Sequence, residues 1–335
     1  MKKLLILPAL GIILTVPAVY SRTNSNPFVG RWDLTVTAAT VTYPNWMEVI
    51  EKDGGLQVRA QLRTGNVRFI DAKMDGPHLI VTAPAPTDAP GSASDGYWEL
   101  TVKGDKLTGI QKHGDAEDAK IAGFRAPALK HPAPRAWTDP ETLFNGKDLT
   151  GWEPINNTPP SSTPKPAASH WVAKNGELVN EGRGSNLRTV RTFDDFKLHI
   201  EFNIPPGENS GIYLRGRYET QVAGGAPPQG VQAASHPAGP STNLAPGLGS
   251  IYGFLKFPVS DPKPAGEWQT YDIALVGRYV TVTLNGFTGI DNQEIPGITG
   301  GAIDSNEGKP GPIYMQGDHH GGIRYRNITI SVPKH

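Results

Sequence analysis

The sequence predicts an all-β protein with two domains. Glycine (39) and proline (31) are frequent among the 335 residues, and short runs rich in Val, Ile, Thr and Tyr recur between turn residues. Segments with the 3.6-residue apolar period of an amphipathic helix are scarce, so we expect strands joined by many turns. A chain of this length is long enough for two ordinary domains with full hydrophobic cores.

The N-terminus is typical of a secretory signal peptide. Residues 1–21 begin with Lys2 and Lys3, continue as an apolar run interrupted by Pro8 and Pro17, and end in small residues. The chain has no cysteine, which excludes disulfide bonds and a lipid-modified cysteine. We therefore expect an exported protein, periplasmic or secreted, that has no membrane association after the signal is removed.

The balance of charge narrows the class of partner. Lys and Arg together number 32, as do Asp and Glu, so no large electrostatic field attracts the chain to nucleic acid or to an anionic membrane. We expect no nucleic-acid partner. A neutral, polar small molecule is the favoured class of ligand.

Residues 27–126 predict a small antiparallel β domain that is barrel-like. Tight turns such as Asp75-Gly76-Pro77 separate short strands at regular spacing, which favours a barrel or a strongly curved sheet. The opening FVGRW, residues 28–32, resembles the Gly-x-Trp start of lipocalin-like barrels, in which Trp32 would close one end. The predicted strands span residues 31–37, 46–52, 56–62, 66–73, 78–83, 96–103 and 106–112.

A proline-rich stretch, residues 127–140, predicts a semi-extended linker to a second domain at 141–335. In that domain Asn175-Gly176 predicts a hairpin turn, and so, less specifically, does Asn285-Gly286. A Gly/Pro-rich segment, 223–249, is expected to be functional or disordered because it is too long for an ordinary connection. Strands are predicted at 196–204, 267–277, 279–284, 312–316 and 323–332.

The stretch 209–221, NSGIYLRGRYETQ, alternates between polar and apolar residues. Read as one strand, it places a phenol, two guanidinium groups, a carboxylate and an amide on one face of a sheet, because successive side chains of a strand point to opposite faces. These residues are Tyr213, Arg215, Arg217, Glu219 and Gln221. Alternation alone leaves two interpretations open, a solvated outer face or a binding face.

Residues 141–332 resemble the 3-keto-disaccharide hydrolase family. The resemblance rests on motifs that occur in order along the domain: LFNGKDLTGW, WVAKNGELV, DDFKLHIEF, NSGIYLRGRYETQV, GEWQTYDI and GPIYMQGDHHGGIRYRNITI. Members of the family are associated with 3-keto-glucoside 1,2-lyase and 3-keto-2-hydroxyglucal hydratase activities. The resemblance implies a concanavalin-like jelly roll of two antiparallel sheets, and it does not extend to residues 1–140.

The resemblance also implies a groove that binds a saccharide on the concave sheet. Glu219 or His319 would be the base or the acid, and Arg215 would stabilise the developing oxyanion. A divalent metal ion held by Glu219, Asp318 and His319 is an alternative to Arg215, and no organic cofactor is expected. The expected substrate-binding residues are Gln221, Glu201, Tyr252, Trp268, Gln316 and Arg326.

The implied reaction begins with a ketone at C3 of the sugar, which acidifies the proton at C2. A base removes this proton, the group at C1 leaves, and water can add to the resulting 2-hydroxyglucal. The leading hypothesis is thus an exported enzyme that cleaves 3-keto-glycosides, and the alternative is a non-catalytic, lectin-like carbohydrate-binding module. A retaining glycosidase is disfavoured, because it needs two carboxylates about 5 Å apart and the stretch 209–221 carries one.

Overall fold

The structure, a computed structural model, describes residues 26–39, 41–61, 67–82, 96–114, 116–155, 168–224, 247–258, 263–317 and 319–334. The predicted signal peptide and Asp318 lie outside these residues. Within them the chain forms strands and turns, which confirms the predicted all-β fold class. The described residues include no helix long and apolar enough to span a membrane.

The N-terminal part is a single sheet of nine antiparallel strands that is almost closed. Since β1 pairs with both β2 and β9, the meander returns to its first strand, and the sheet is interrupted between β4 and β5. The strands are β1 (Gly30–Ala38), β2 (Thr42–Lys52), β3 (Gly55–Gln61), β4 (Val67–Ile70), β5 (Ala72–Asp75), β6 (His78–Thr82), β7 (Gly96–Lys103), β8 (Lys106–His113) and β9 (Ala116–Arg125). We call this sheet the barrel.

Two strand predictions in the barrel need correction. The predicted strand at 66–73 is instead two strands, β4 and β5, because the strand is interrupted at Asp71. Strand β9 was not predicted, since its sequence AEDAKIAGFR has few β-branched or aromatic residues. Pairing with both neighbours, rather than intrinsic propensity, makes it a strand.

Trp32 is fully buried in the barrel core, and its role in closing one end of the barrel stays a prediction. Its indole Nε1 donates a hydrogen bond to the carbonyl of Phe28 at 2.8 Å, and the guanidinium of Arg125 stacks 3.9 Å above the ring centroid. Apolar side chains from alternate positions fill the interior around it. The barrel therefore encloses a packed core.

The C-terminal part is a sandwich of two antiparallel sheets around one core, as the jelly-roll prediction requires. The eight-stranded sheet has the order β12-β13-β22-β15-β18-β19-β20, with β10 also paired to β22, and the five-stranded sheet has the order β11-β14-β21-β16-β17. The strands are β10 (Glu141–Thr142), β11 (Trp152–Ile155), β12 (Trp171–Lys174), β13 (Glu177–Asn180), β14 (Asn186–Thr189), β15 (Phe196–Asn203), β16 (Asn209–Leu214), β17 (Tyr218–Ala223), β18 (Gln269–Val276), β19 (Tyr279–Leu284), β20 (Phe287–Glu294), β21 (Tyr314–Met315) and β22 (Arg324–Ser331).

Two Asn-Gly pairs form the hairpin turns that the sequence predicts. Asn175 and Gly176 have φ of 55° and 80° between β12 and β13, and Asn285 and Gly286 have φ of 49° and 84° between β19 and β20. Positive φ at both positions is the reason Asn-Gly is favoured there. Strand β20 itself was not predicted.

The stretch 209–221 is a hairpin and not the single strand that alternation suggested. Strand β16 ends at Leu214, the chain turns at residues 215–217, and β17 begins at Tyr218. Arg215 and Gly216 have φ of 52° and 69°, so the turn uses the left-handed region that glycine accepts and arginine rarely adopts. An Arg-Gly pair is a weaker turn signal than Asn-Gly, and it was missed.

The linker at 127–140 lies along the sandwich. The carbonyl of Leu129 accepts a hydrogen bond from the backbone nitrogen of Arg278 at 2.8 Å, and the imidazole Nδ1 of His131 lies 2.8 Å from the carboxylate of Asp195. The linker is thus held in place by backbone and side-chain contacts.

Candidate functional site

The hairpin β16–β17 presents one row of side chains to the core and another to the outer face of the five-stranded sheet. Tyr213 lies opposite Glu219, and Gly211 lies opposite Gln221. Asn209 continues the same row. We call this surface the Glu219 face. Glu219 is 4% exposed although its side chain points away from the sandwich core, so other segments cover it.

Two segments border the hairpin at Glu219. The backbone nitrogen of Tyr252 donates to the carbonyl of Glu219 at 3.0 Å, and the nitrogen of Gln221 donates to the carbonyl of Ser250 at 2.9 Å. From the other segment, Thr299 Oγ1 accepts a hydrogen bond from the backbone nitrogen of Glu219 at 3.0 Å. These bonds fix the backbone of β17 on both sides of the carboxylate.

The hydroxyl of Tyr213 is a hydrogen-bonding partner of the Glu219 carboxylate. It lies 2.9 Å from Oε2 of Glu219 and 2.8 Å from the carbonyl oxygen of Gly300. Burial, and then the negative charge of Glu219, raise the pKa of Tyr213 well above its usual range. Tyr213 therefore keeps its proton and can donate it to either acceptor.

Gly211 makes room for the carboxylate. A Cβ atom at this position would overlap Oε1 of Glu219, so any larger residue displaces the carboxylate or the strand. Gly211 does not have a positive φ, so the requirement for glycine comes from this close approach and not from the backbone conformation.

The side-chain amides of Gln221 and Asn209 link the hairpin to His319. The side-chain nitrogen of Gln221 donates to Oδ1 of Asn209, whose own side-chain nitrogen lies 3.3 Å from Nε2 of His319. This contact lets the Asn209 amide donate to Nε2 of His319 when that nitrogen carries no proton. The structure thus places His319 at one end of the Glu219 face.

Two buried amide oxygens on this face have no hydrogen-bond donor among the described residues. They are Oε1 of Gln221 and Oε1 of Gln316. A buried acceptor left without a donor costs roughly 1–3 kcal/mol, so such atoms need an explanation. Donors from a hydroxyl-rich ligand would satisfy both of them.

Aromatic rings border the row of polar groups. The ring of Tyr314 stacks on that of Tyr213 with centroids 3.9 Å apart, and its hydroxyl donates to the carbonyl of Gly301. Burial and the charge of Glu219 raise the pKa of Tyr252, so this phenol also stays neutral near the carboxylate. Tyr213, Tyr314, Asn209 and Gly211 were not among the predicted site residues. The alternation at 209–221 already placed Tyr213 beside Glu219 and could have identified it.

Arg215 does not lie on the Glu219 face as predicted. It belongs to the turn, and its guanidinium is fully buried among Asp194, at 3.0 Å, and the carbonyls of Gly277 and Glu307, at 3.1 and 2.5 Å. These contacts join the turn to neighbouring loops. The structure therefore gives Arg215 a structural position, and the prediction that its side chain shares the face of Glu219 is wrong.

Three predicted substrate-binding residues lie on the opposite side of the sandwich. Glu201 accepts from Nε of Arg326 at 2.7 Å and from the side-chain nitrogen of Asn327 at 2.7 Å, and Arg326 stacks 3.9 Å above the ring of Trp268. These side chains point outward from the eight-stranded sheet, which we call the Glu201 face. The prediction that they line one groove with Glu219 is wrong, because β15 and β17 belong to different sheets.

The predicted metal ligands stay a prediction, since Asp318 lies outside the described residues. Among the described residues, the three metal-capable side chains that come together are His131, Asp194 and Asp195. His131 is paired with Asp195 at 2.8 Å and Asp194 with Arg215 at 3.0 Å. This cluster is a network of polar contacts that holds the linker and the hairpin turn.

Comparison with known proteins agrees with the sequence motifs. A family model described as a 3-keto-alpha-glucoside-1,2-lyase-like domain matches residues 139–331, more than half of the 335 residues. A provisionally assigned glycosyl hydrolase from Parabacteroides distasonis is 26% identical, with 61% of this chain and 93% of that chain covered and a TM-score of 0.43. SCLam, a non-specific endo-beta-1,3(4)-glucanase of family GH16, is 11% identical, with 62% and 96% covered and a TM-score of 0.34. No curated protein matches the chain with significance.

Proposed function

We propose that this protein cleaves 3-keto-glycosides by elimination. The chain belongs to the 3-keto-alpha-glucoside-1,2-lyase-like domain family and is thus a carbohydrate-active enzyme. The observation that supports the proposal is the environment of Glu219, a shielded carboxylate with a tyrosine donor on one side and, nearby, two amide oxygens that find no donor in the described part of the chain. Proton abstraction beside a ketone requires a positioned base, and polar groups that a hydroxyl-rich ligand could satisfy are what a saccharide site requires.

In the proposed reaction, a carboxylate oxygen of Glu219 removes the proton from C2 of the sugar. The electron pair of the C2–H bond forms an enediolate with the C3 ketone. The enediolate then re-forms the ketone, a C1=C2 double bond forms, and the C1–O bond breaks. The leaving alkoxide takes a proton, and water addition to the 2-hydroxyglucal would complete net glycoside cleavage.

The network at Tyr213 suits a residue that gains and loses a proton. While Glu219 is ionised, the hydroxyl of Tyr213 donates to Oε2 at 2.9 Å. After Glu219 has taken the C2 proton, the carboxyl can donate to the tyrosine oxygen while Tyr213 donates to Gly300 at 2.8 Å. Both protonation states of Glu219 are thus hydrogen-bonded without any movement of the backbone, which favours its assignment as the base.

His319 is the proposed acid for the leaving group. Its Nε2 faces Asn209 at 3.3 Å, and the amide chain through Gln221 fixes its position relative to the hairpin. The alternative is a divalent metal ion held by Glu219, Asp318 and His319, which would polarise the ketone and a neighbouring hydroxyl when bound. Side chains that hold the ion would not then serve as the base or the acid.

A two-carboxylate glycosidase mechanism is not supported by the described part of the Glu219 face. Glu153, on the same face, lies on β11 at the far edge of the five-stranded sheet and is paired with Arg188 at 2.6 Å. Four strand spacings of about 4.8 Å separate β11 from β17, about 19 Å in all. Retaining and inverting glycosidases need separations of about 5 to 9.5 Å.

The test compares a 3-keto-glucoside with the matched unoxidised glucoside, in the presence and absence of a chelator. We expect release of the aglycone from the keto substrate and wash-in of deuterium at C2 in D₂O, both lost in Glu219→Gln. His319→Ala should slow aglycone release more than deuterium exchange at C2, because His319 is the proposed proton donor to the leaving group and not the base. Binding of the keto sugar without release or exchange under any metal condition would show a lectin-like module instead.

Export is also proposed, from the signal-like N-terminus. Expression in a Gram-negative host with fractionation would be expected to give a mature chain in the periplasm or medium that begins after residue 18 or 21. A full-length chain in the cytoplasmic fraction would contradict export.

A further inference from the structure

We propose that the barrel is part of the catalytic unit and that Trp46 is a positioning residue for Glu219, acting through the two segments that border the carboxylate. The inference concerns residues outside the matched family domain, which begins at residue 139. It rests on the proposed function only for the identity of the reaction, since the positioning of Glu219 can be measured separately.

One outer face of the barrel is applied to the sandwich. Along β1 and β2, alternate side chains point into the barrel core, and those between them point outward. Among the outward side chains, Arg31 pairs with Glu294 of the sandwich at 2.5 Å, Thr35 hydrogen-bonds Ser305 at 3.0 Å, and Trp46 is fully buried. Trp46 packs with the hydrophobic core of the sandwich and not with that of the barrel.

Trp46 contacts the first bordering segment through Phe254. The two rings meet edge to face with centroids 5.2 Å apart. Phe254 closes a tight turn on Ile251, whose neighbour Tyr252 donates its backbone hydrogen bond to the carbonyl of Glu219 at 3.0 Å. The indole therefore supports the turn that pairs with β17 at the carboxylate.

Trp46 contacts the second bordering segment at Gly297. A Cβ on Gly297 would overlap the indole nitrogen, so the backbone of this segment lies directly against the ring. Two residues further on, Thr299 accepts the backbone hydrogen bond of Glu219 at 3.0 Å, and Gly300 accepts from the hydroxyl of Tyr213 at 2.8 Å. One side chain of the barrel thus braces both segments that hold Glu219.

Asp33 is a second side chain of the barrel that is buried against the sandwich. The carboxyl of Asp33, fully buried on β1, faces Glu307, Arg278 and Arg217 of the sandwich. Burial, and then the negative charge of Glu307, raise the pKa of Asp33 far above its usual range, so it faces Glu307 as a neutral carboxyl.

The test uses Trp46→Ala, Trp46→Phe and, as a matched control, Trp98→Ala in the full-length protein. Trp98 is also a buried tryptophan of the barrel, 3% exposed, but its indole donates to Gln111 within the barrel and packs in the barrel core. All three variants are compared below their melting temperatures, so that loss of global stability does not enter.

Two readouts are expected to separate the variants. Amide hydrogen exchange should increase at residues 249–255 and 297–301 in Trp46→Ala and not in Trp98→Ala. With a 3-keto-glucoside, kcat should fall about 10- to 100-fold in Trp46→Ala with a smaller change in KM, recover largely in Trp46→Phe, and stay within about twofold in Trp98→Ala.

The outcomes distinguish this inference from the proposed function. If the wild type does not turn over 3-keto-glycosides but the exchange pattern is as expected, the reaction is wrong and the positioning holds. If exchange at both segments is the same in Trp46→Ala and Trp98→Ala, or if both variants lose kcat equally, Trp46 is only a stabilising residue and the inference is overturned.

Discussion

The outer face of the five-stranded sheet and the outer face of the eight-stranded sheet both carry a carboxylate beside aromatic and polar side chains. On the Glu201 face, Glu201 receives hydrogen bonds from Arg326 and Asn327, both at 2.7 Å, and Arg326 is stacked on Trp268. These groups neutralise one another, and the side chains of Glu201 and Arg326 are 21% and 38% exposed.

The Glu219 face differs in two ways: its carboxylate is shielded from solvent, and two of its amide oxygens have no hydrogen-bond donor among the described residues. Its carboxylate is covered, its aromatic rings are buried, and the amide oxygens of Gln221 and Gln316 have no donor among the described residues. Exposed ion pairs contribute little, whereas a shielded polar group with an unmet hydrogen bond is costly unless a ligand satisfies it. Similar residue types thus form a surface network on one sheet and a candidate site on the other.

The largest expected difference between the faces is in catalysis. Glu219→Gln should lower kcat about 10²- to 10⁴-fold, the usual contribution of a general base, and Glu201→Gln should leave kcat within about twofold. Rates of aglycone release from a 3-keto-glucoside measure both. Equal effects of the two substitutions would remove the distinction between the faces.

Gly211→Ala should be nearly as damaging, because the added Cβ overlaps Oε1 of Glu219. We expect kcat to fall about 10²-fold, since misplacement of a catalytic group by about 1 Å has effects of that size. The matched control is Gly55→Ala, where the nearest atom to the added Cβ is the carbonyl oxygen of Lys52 at 3.8 Å. Normal turnover by Gly211→Ala would place the reacting carboxylate elsewhere.

This pair of substitutions shows how much of the site the sequence could predict. Alternation placed Tyr213, Glu219 and Gln221 on one face, and the structure confirms that grouping although the stretch is a hairpin, because cross-strand partners share a face. Arg215 was misplaced, since its turn has positive φ at an arginine, and the Arg-Gly pair is only a weak local signal for such a turn. The close approach of Glu219 to Gly211 depends on a rotamer and was not predictable.

The contributions of the barrel and of the Glu201 face were beyond sequence reasoning for a different reason. Both depend on which sheet, and which side of it, a strand occupies. Residues 196–204 were correctly read as a strand with Glu201 on its polar side, but periodicity does not show that β15 and β17 lie in different sheets. Likewise, the outward position of Trp46 on β2 gave no sign that it packs in the sandwich core.

Asp33 extends the comparison to the free energy of unfolding. Its carboxyl is buried, whereas that of Glu201 is partly exposed. Since its pKa is raised in the folded state, the stability it contributes is full below the unfolded pKa and is lost as the pH rises toward the folded value. Asp33→Asn cannot titrate and should become progressively more stable than the wild type from pH 5 to 9, by at most about 1.4 kcal/mol per pH unit. Urea unfolding at several pH values measures this, with the exposed Asp105→Asn as control; parallel pH profiles of wild type and Asp33→Asn would contradict it.

Tyr213→Phe removes the neutral hydroxyl that donates to the shielded carboxylate of Glu219. The described residues of the Glu201 face show no such donor. We expect kcat to fall about 10-fold, as hydrogen bonds to charged groups contribute roughly 1.5–3 kcal/mol. The acid limb of the pH–rate profile should move to higher pH, because the ionised carboxylate loses the bond at 2.9 Å that favours it. Tyr314→Phe removes the hydroxyl that contacts Gly301 and should leave the acid limb in place. A shift of equal size in both variants would mean that the stacked ring pair, not the hydroxyl of Tyr213, sets the profile.

The smallest effect is expected from Glu201→Gln on stability. Burial disfavours the charged form of Glu201, but hydrogen bonds from Asn327 and Arg326 together lower its pKa. The stability it contributes is therefore present at neutral pH and is lost as the pH falls through the lowered folded value, the opposite direction to Asp33.

Because the pair with Arg326 is partly exposed, the loss at pH 7 should be about 0.2–1 kcal/mol and should shrink in 1 M salt. Urea unfolding in low and high salt measures it, and a loss of several kcal/mol that salt does not change would show that the Glu201 face is covered by something this chain does not include.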